Sequence, residues 1–361
     1  MKNDIESRKK KYYKISKELA NIDKKQLDLL FDDKNKTQGW GINHIIKIAK
    51  SKVFVKRIPL TELEHENLFS TKNLYDLPTY YNYGVGSAGF GAFRELETHI
   101  KTTKWVLDEE IENFPLMYDY KIVPCLDKKD EIDMEKHQKY IERWNNNENI
   151  SKYIIERKNA KYEIVIFLEY FPYMLSKWLE KNRNEIQSLV NQMQDTINFL
   201  IKKDIIHFDI HFRNIITDGK KMYLTDFGLV LDKNFDLDEK EKLLFKENLY
   251  YDCGEFLYSV AWNLYSLYNK KSVQKKLIKY GIIDERKLEG NFIVFIKNLE
   301  KISNEGIIKL NRSYIDIITK YYEIIVLMSN FYGEITKNNK KDTKYSHTKL
   351  ANLVKKTDFI K

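Results

Sequence analysis

The spacing of apolar residues divides the chain into a strand-rich part and a helix-rich part. Residues 39–58 hold two β-branched runs separated by the turn-like "AKSK", which predicts a β-hairpin preceded by a short glycine loop. The segments "FPLMYDYKIVPC" (114–125) and "YEIVIFLEYF" (162–171) predict two further strands. Between the hairpin and these strands, a helix is predicted from the i, i+3, i+7 spacing of Phe93, Leu96 and Ile100.

After Pro172 the spacing becomes helical. The i, i+3, i+4, i+7 pattern runs for about four turns through Ile186, Leu189, Val190, Met193, Ile197, Leu200 and Ile201. A second apolar helix is predicted at 254–268, and residues 275–361 are typical of further helices with a basic tail. Residues 1–36 are charged, with apolar residues at loose helical spacing, which predicts a helical N-terminal extension.

These changes of pattern predict an α+β fold with two lobes. We expect a helical extension at 1–36, a small antiparallel-sheet N-lobe at 37–171 and a mainly helical C-lobe at 172–361. The polar, Asn-rich stretch at 126–161 is interpreted as a surface insertion in the N-lobe. A chain of 361 residues exceeds the roughly 250–300 residues at which single cores stop growing, so two lobes fit its length.

Composition narrows the setting of the protein. The hydrophobic fraction of 43% is typical of a folded chain, and no apolar run is long enough to span a bilayer, so we expect a soluble protein without a membrane partner. The net charge of +9 comes from lysines spread along the whole chain, which does not favour a nucleic-acid partner over simple compositional bias. Two cysteines, Cys125 and Cys253, are too few for a disulfide framework and favour a reducing cytoplasm.

The most specific stretch is "IIHFDIHFRNIITDGKKMYLTDFGLVL". It contains H-x-D-x-x-x-x-N at His207, Asp209 and Asn214, and twelve residues after Asn214 comes Asp226-Phe227-Gly228. A carboxylate such as Asp209 can orient an attacking hydroxyl or accept its proton. Asn214 and Asp226 can bring oxygen ligands to a Mg²⁺ ion that bridges phosphates.

The text between the two motifs fits the same chemistry. Asp218-Gly219 predicts a hairpin turn between two short strands, one carrying Asn214 at its start and the other carrying Asp226 at its end. The predicted hairpin and the predicted metal ligands therefore agree, because one ligand begins the first strand and the other ends the second.

This region resembles the catalytic and metal-binding loops of the protein-kinase-like superfamily. His211 stands two residues after Asp209, so "HFDIHFRN" is similar to the loop of the aminoglycoside phosphotransferase and choline kinase branch, whereas the intact Asp226-Phe227-Gly228 resembles protein kinases. The run from "VFVKRIPLTEL" through "YGVGSAGFGAFREL" to "HFDIHFRN" also resembles poorly characterised bacterial kinase-like proteins. The resemblance implies ATP and Mg²⁺ as cofactors and a catalytic set of Asp209, His211 and Asn214.

The resemblance also implies roles for residues nearer the N-terminus. Lys56 in "VFVKR" matches the strand lysine that contacts the α- and β-phosphates of ATP. Its partner should be a glutamate on the following helix, for which we choose Glu95 with Glu97 second.

Two other segments resemble parts of the same machinery. Glu169, Tyr170 and Phe171 match the hinge whose backbone groups hydrogen-bond adenine. Asp252 matches the buried aspartate that braces the catalytic loop, although it could instead act only as an N-cap of the following helix.

Glycines suggest two phosphate loops. "GWG", with Gly39 and Gly41, precedes the predicted hairpin and takes the place of the usual nucleotide loop. "GVGSAGFG", with Gly86 and Gly89, feeds the helix that carries Glu95, and free N–H groups at the positive end of a helix dipole suit phosphate. We expect this second loop to close over the γ-phosphate, with a flexible turn as the alternative.

Three functions remain compatible with these residues. The first is a bacterial-type serine/threonine protein kinase, the second a small-molecule kinase, and the third a nucleotide-binding pseudokinase scaffold. The intact Asp-Phe-Gly favours the first, whereas His211 and the lack of Ala-Pro-Glu favour the second. The third is disfavoured because Lys56, Asp209, Asn214 and Asp226 are all present.

Activity should not require phosphorylation of residues 229–252. Phe208 replaces the arginine that would hold an activation-loop phosphate, and residues 227–251 contain no Ser or Thr. We expect treatment with a broad-specificity phosphatase to leave phosphoryl transfer from ATP unchanged. Loss of activity that is restored by a kinase acting on Tyr250 or Tyr251 would contradict this prediction.

Overall fold

The computed structural model describes the chain in six stretches. They are 2–31, 37–38, 42–126, 131–284, 291–337 and 341–360. The "GWG" loop with Gly39 and Gly41 lies outside these described residues.

The chain divides into two compact units. The first comprises Met1–Phe171, Tyr223–Leu244 and Asn339–Lys341. The second comprises Pro172–Met222, Phe245–Asn338 and Asp342–Lys361. The boundaries inferred from the sequence at residues 36, 126, 161 and 171 stay predictions.

The first unit contains a five-stranded antiparallel sheet in the order β1-β2-β3-β5-β4. Its strands are β1 (Thr37–Gln38), β2 (Ile42–Ile48), β3 (Ser51–Leu60), β4 (Met117–Pro124) and β5 (Tyr162–Glu169). The predicted hairpin is β2–β3, and its turn residues Ala49 and Lys50 have φ of 48° and 68°, as a two-residue type I′ turn requires.

Period-2 alternation in β3 decides which side chains meet the core of the first unit. Phe54, Lys56, Ile58 and Leu60 share one face, and the last two are buried. That face packs on helix α4 (Ala92–Leu107) in a cluster comprising Ile58, Leu60, Ala92, Phe93, Leu96, Met117, Ile164, Ile166 and Leu168. The side chain of Lys56 thus lies on the face of the sheet against which α4 packs. Ile100, predicted on the apolar face of this helix, is exposed instead.

The first unit also contains helices. Its helices are α1 (Lys2–Ala20), α2 (Lys24–Leu30), α3 (Glu62–Glu66), α4, α5 (Met134–Glu142) and α6 (Glu148–Lys158), with a 3₁₀ helix at Thr79–Asn82. The described part of the stretch interpreted as a surface insertion contains α5 and α6, and it buries Trp144, Ile150 and Tyr153. Residues Tyr223–Leu244, which also belong to the first unit, contain β10 (Leu231–Asp232). The unit boundaries fall within β9 (Met222–Leu224) and α9 (Glu239–Asn248).

The second unit is mainly helical. Its helices are α7 (Leu175–Leu179), α8 (Ile186–Lys202), α10 (Tyr251–Tyr268), α11 (Lys271–Lys279), α12 (Asn291–Lys297), α13 (Leu299–Asn304), α14 (Arg312–Lys320), α15 (Tyr322–Lys337) and α16 (His347–Lys356), with a 3₁₀ helix at Arg183–Glu185. The strands β6 (Tyr173–Met174), β7 (Ile205–Ile206) and β8 (Ile215–Thr217) are short, and β6 pairs antiparallel with β8. The predicted α+β fold, with an antiparallel sheet in the N-terminal region and mainly helices in the C-terminal region, is confirmed.

Within the described residues, none of the helices combines the length and the apolar character needed to cross a lipid bilayer.

Candidate active site

In the first unit, Lys56 joins two carboxylates from distant parts of the chain. Its Nζ lies 2.5 Å from Glu95 Oε1 on α4 and 2.7 Å from Asp226 Oδ1. Glu97, the second choice of partner, instead approaches Lys101 at 3.9 Å, and its side chain is 41% exposed. The structure therefore pairs Lys56 with Glu95.

The ionisation of this cluster is set by competition between burial and charge. Burial acts to lower the pKa of Lys56, but Asp226 and Glu95 outweigh it and hold that pKa above its ordinary value. Burial likewise acts to raise the pKa of Glu95, and the ammonium of Lys56 outweighs it and lowers that pKa. Lys56 and Glu95 are thus both charged near neutral pH.

Asp226 and Phe227 turn in opposite directions. Asp226 has φ of 68°, a left-handed conformation that aspartate tolerates better than most residues, and its side chain stays 46% exposed while its Oδ1 contacts Lys56. Phe227 is buried, with its ring 4.7 Å from that of His99 on α4. Burial lowers the pKa of His99, which favours a neutral imidazole in this contact. His99 was missed in the sequence, although its place four residues after Glu95 puts it on the same helix face.

The glycine stretch before α4 packs against the Asp-Phe-Gly motif. A Cβ added to Gly89 would lie 2.5 Å from the carbonyl oxygen of Gly228, so the two backbones touch. Gly86 is exposed, a Cβ there would meet nothing within 4 Å, and its carbonyl oxygen accepts a bond from Tyr140 at 3.0 Å. The roles of Gly86 and Gly89 in nucleotide binding stay predictions.

The N–H groups at the start of α4 were expected to be free for a phosphate, and this expectation is wrong for Ala92. The N–H of Ala92, the first residue of α4, donates to Glu64 Oε1 at 2.9 Å, and Glu64 is buried. A carboxylate of the protein itself thus occupies the positive end of this helix, where the sequence suggested a phosphate.

Arg94, the neighbour of Glu95, ties α4 to the segment after the motif. Its Nη1 lies 2.6 Å from Glu241 Oε1, and both side chains are 1% exposed. Lys101 adds an ion pair to Asp232 at 2.7 Å, and Asn82 Nδ2 donates to the carbonyl of Leu229 at 2.8 Å. The stretch from 229 to 241 is therefore held to α4 and its preceding loop without any phosphate. Arg94 was missed because its partner lies 147 residues away.

The predicted hinge residues lie at and after the end of β5. Glu169 is buried, and its N–H donates to the carbonyl of Leu116 at 2.8 Å. The Phe171 ring stacks on Tyr223 with centroids 3.8 Å apart, and the Tyr170 ring lies 5.0 Å from Lys52 Nζ. Adenine binding by this segment stays a prediction.

In the second unit, the loop around Asp209 is held by its own side chains. Asn214 Nδ2 donates to Asp209 Oδ2 at 2.7 Å and to the Asp209 carbonyl at 3.0 Å. His211 Nε2 lies 3.4 Å from Asp209 Oδ1, and the Asp209 N–H donates to His207 Nδ1 at 3.2 Å. The loop thus brings together the predicted catalytic residues Asp209, His211 and Asn214.

Two buried carboxyls on α10 support this loop from below. Asp252 accepts the N–H groups of His207 and Phe208 at 2.7 and 2.9 Å, so it braces the loop, as the resemblance implied. Glu255 accepts the N–H of Ile210 at 2.8 Å. Burial raises the pKa of Asp252 to about 7, against the opposing effect of its two N–H donors. Burial, and then the charges of Asp209 and Asp252, raise the pKa of Glu255 well above its usual range.

Phe208 shows what replaces the missing arginine. It has φ of 62°, is fully buried and lies 5.0 Å from the Tyr251 ring between centroids. The turn at Asp218-Gly219 also forms as predicted, with Asp218 Oδ1 accepting the N–H groups of Lys220 and Lys221 at 2.8 Å.

Asp226 and Asn214 each carry oxygen atoms of the kind that binds hard cations. Asp226 offers an exposed carboxylate, and Asn214 uses its amide nitrogen on Asp209, which leaves its amide oxygen as a ligand. Oxygen donors of this kind fit Mg²⁺ bound together with phosphates. Across the described ranges, no group of three or more His, Cys, Asp or Glu side chains could hold a metal ion by itself.

One known family matches part of the chain. The sequence model of the family described as protein tyrosine and serine/threonine kinase matches residues 121–249, which include Asp209, Asn214 and Asp226 but not Lys56 or Glu95. No curated protein matches the chain. The likeness to the protein-kinase-like superfamily is confirmed, while the closer likeness to the aminoglycoside phosphotransferase and choline kinase branch stays a prediction.

The contact of Gly89 with Gly228 can be tested against a matched glycine. Gly86 and Gly89 have φ of 87° and 90°, so an alanine is strained equally at both, but only at Gly89 does its Cβ meet backbone. We expect Gly89→Ala to lower the free energy of unfolding by about 1–3 kcal/mol more than Gly86→Ala, the usual cost of overpacking. Urea unfolding of both variants measures the difference. Equal losses would show that the loop does not constrain Gly228.

Proposed function

We propose that this chain belongs to the protein-kinase-like superfamily and is an ATP- and Mg²⁺-dependent phosphotransferase, with serine or threonine hydroxyls of proteins as acceptors. The observation that carries the proposal is the ammonium of Lys56 shared between Glu95 and Asp226. A lysine bound in this way presents a fixed positive charge beside a partly exposed carboxylate. The positive charge suits the triphosphate of ATP, and the carboxylate suits its metal ion.

The cofactor roles follow the donor chemistry of each residue. Lys56 would neutralise the α- and β-phosphates, and Glu95 would keep its side chain in place. Asp226 and Asn214 would be the protein ligands of Mg²⁺, which withdraws charge from the transferring phosphoryl group when bound. Gly39 and Gly41 are assigned to the nucleotide loop from the sequence alone.

Asp209 is proposed as the base that accepts the proton of the attacking hydroxyl. Asn214 donates to Oδ2, while Oδ1 faces His211 at 3.4 Å, so the carboxylate is oriented by two neighbours. A carboxylate held in one orientation can place an acceptor hydroxyl for attack. His211 is assigned to the same step because of its contact with Asp209.

The backbone at the end of β5 is proposed to bind adenine. The carbonyl of Glu169 and the N–H of Phe171 would pair with the base, with Tyr170 between them. Phe171 is fixed by stacking on Tyr223, which supports an ordered backbone at this point.

The acceptor class has one alternative that an observation favours. His211 beside Asp209, where ordinary protein kinases carry lysine, is the feature of small-molecule phosphotransferases. The intact Asp226-Phe227-Gly228 and the matching family favour a protein acceptor. A cytoplasmic location belongs to the same proposal and rests on the low cysteine content.

Incubation with γ-labelled ATP and Mg²⁺ tests the proposal as a whole. Label on the protein or on added lysate proteins supports a protein kinase, and label only in small molecules supports the alternative. Binding of ATP without any transfer would reduce the chain to a nucleotide-binding scaffold.

Asp209→Asn should abolish transfer while leaving ATP affinity nearly unchanged. The amide keeps the size of the side chain but cannot accept the proton, and loss of a general base costs about 10²–10⁴-fold in rate. Glu180→Gln, on the exposed surface of the same unit, is the control and should behave as wild type. Transfer at near wild-type rate in Asp209→Asn would rule out Asp209 as the base.

Asp226→Asn should weaken Mg²⁺-ATP instead of only slowing transfer. Asparagine tolerates the φ of 68° at this position, so the change removes charge without backbone strain. We expect affinity for Mg²⁺-ATP to fall by roughly tenfold or more, as for damage to other metal sites. Calorimetric titration measures it, with Asp236→Asn, a 63% exposed carboxylate of the same segment, as control. Unchanged affinity would remove Asp226 from the metal site.

A further inference from the structure

Arg8 on α1 is a buried arginine with an unusually complete set of partners. Arginine is almost never fully buried unless it is paired, and the side chain of Arg8 is 7% exposed. Its Nε lies 3.1 and 3.2 Å from the two carboxylate oxygens of Glu169, and its Nη2 lies 2.8 Å from Oε2. The remaining donors reach the carbonyl oxygens of Glu112 at 2.8 Å and Phe114 at 2.7 Å.

The same guanidinium covers an aromatic pair. Its central carbon lies 5.0 Å from the centre of the Tyr223 ring and 6.0 Å from that of Phe171, and these two rings stack on each other. Cations within about 6 Å of a ring centre are attracted to the ring face. Arg8 is therefore in contact with both Glu169 and Phe171, at the two ends of the predicted hinge.

Glu169 is fixed on every side by these contacts. Its carboxylate holds Arg8 and also accepts the N–H of Leu116 at 3.3 Å, while its own N–H donates to the Leu116 carbonyl at 2.8 Å. The side chain of this residue is thus used for position, and it is not turned toward solvent.

Helix α1 is itself held in the first unit, so Arg8 is not a loosely placed side chain. Ile5, Ile15 and Leu19 on the helix are buried, and Ser16 Oγ donates to the carbonyl of Tyr118 on β4 at 2.7 Å. A buried ion pair is often no more stabilising than apolar side chains of similar volume. The guanidinium of Arg8 contacts two carbonyls, one carboxylate and two aromatic rings, and this number of contacts fits a role in positioning them.

We propose that Arg8 is a positioning residue for the adenine of ATP, which makes α1 a working part of the nucleotide site. The inference rests on the proposed function, in which backbone groups of Glu169 and Phe171 bind the base. In that proposal adenine pairs with backbone atoms, so its binding depends on where the backbone of residues 169–171 lies. Arg8 fixes that backbone from behind.

The effect should depend on the base and not on the phosphates. Arg8 acts at residues 169–171, whereas the phosphates and Mg²⁺ are assigned to Lys56, Asp226 and Asn214. Removing Arg8 should therefore weaken adenosine-containing ligands and leave inorganic tripolyphosphate unaffected. A general loss of structure would weaken both.

The experiment compares ADP and tripolyphosphate, each with Mg²⁺, by calorimetry on the full chain. We expect Arg8→Met to lower ADP affinity by roughly tenfold or more, since a displacement of about 1 Å in a binding site can cost more than that. The affinity for tripolyphosphate should stay within about twofold of wild type. In transfer assays the KM for ATP should rise while kcat at saturating ATP stays within about twofold. Arg8→Lys should be intermediate, because it keeps the charge without the fork.

Two further variants keep the test decisive. Lys9→Met is the matched control, since Lys9 follows Arg8 on α1 but pairs with the exposed Glu109. Arg8→Met alone leaves the Glu169 carboxylate buried without its partner, so Arg8→Met with Glu169→Gln removes that charge and should still lose ADP affinity selectively.

Each outcome decides between the proposals. If wild type binds ADP and tripolyphosphate but Arg8→Met loses both equally or neither, the positioning role is overturned and the proposed function stands. If wild type binds neither, the proposed function fails and the inference fails with it. Selective loss of ADP in both Arg8 variants supports both.

Discussion

The ammonium of Lys56 joins three stretches of the first unit that are far apart in sequence. Its two bonds need β3 in register with β5, α4 beginning at Ala92, and Asp226 in a left-handed conformation. Alternation sets the face of β3, and the more distant Glu64 accepts the first N–H of α4. A partly buried ion pair stabilises little by itself unless its geometry is good, so the surroundings carry most of the order.

Helix α4 transmits this order to the segment that follows Asp226. Successive residues of a helix point about 100° apart, so Glu95 reaches Lys56 while its neighbour Arg94 reaches Glu241. The same helix therefore sets the lysine and holds the stretch after the Asp-Phe-Gly motif. In a protein where an added phosphate did the second job, the order of the segment would depend on a modification. Here a carboxylate encoded in the chain does it.

The sequence predicted what depends on local pattern and missed what depends on distant partners. The hairpin β2–β3, helix α8 and the Asp218-Gly219 turn follow from alternation, helical spacing and turn chemistry, all of which act within a few residues. The choice of Glu95 over Glu97 agrees with the structure because helix periodicity places Glu95 toward the core. Arg8, Arg94 and Glu64 could not be found in this way, since no local pattern in one sequence identifies a partner 161, 147 or 28 residues away. Glu255 was within reach, because it stands one helical turn after Asp252.

The bond between Arg8 and Glu169 also has a consequence for how the chain is made. Its two residues are separated by 161 positions. At roughly 5–20 residues per second, ribosomal synthesis would leave α1 without this partner for about 8–30 s. For most of that interval α1 also lacks β4, whose Tyr118 carbonyl accepts the bond from Ser16, because β4 is complete only when residue 124 has been added. The first unit therefore completes late in translation, long after its first helix has been synthesised.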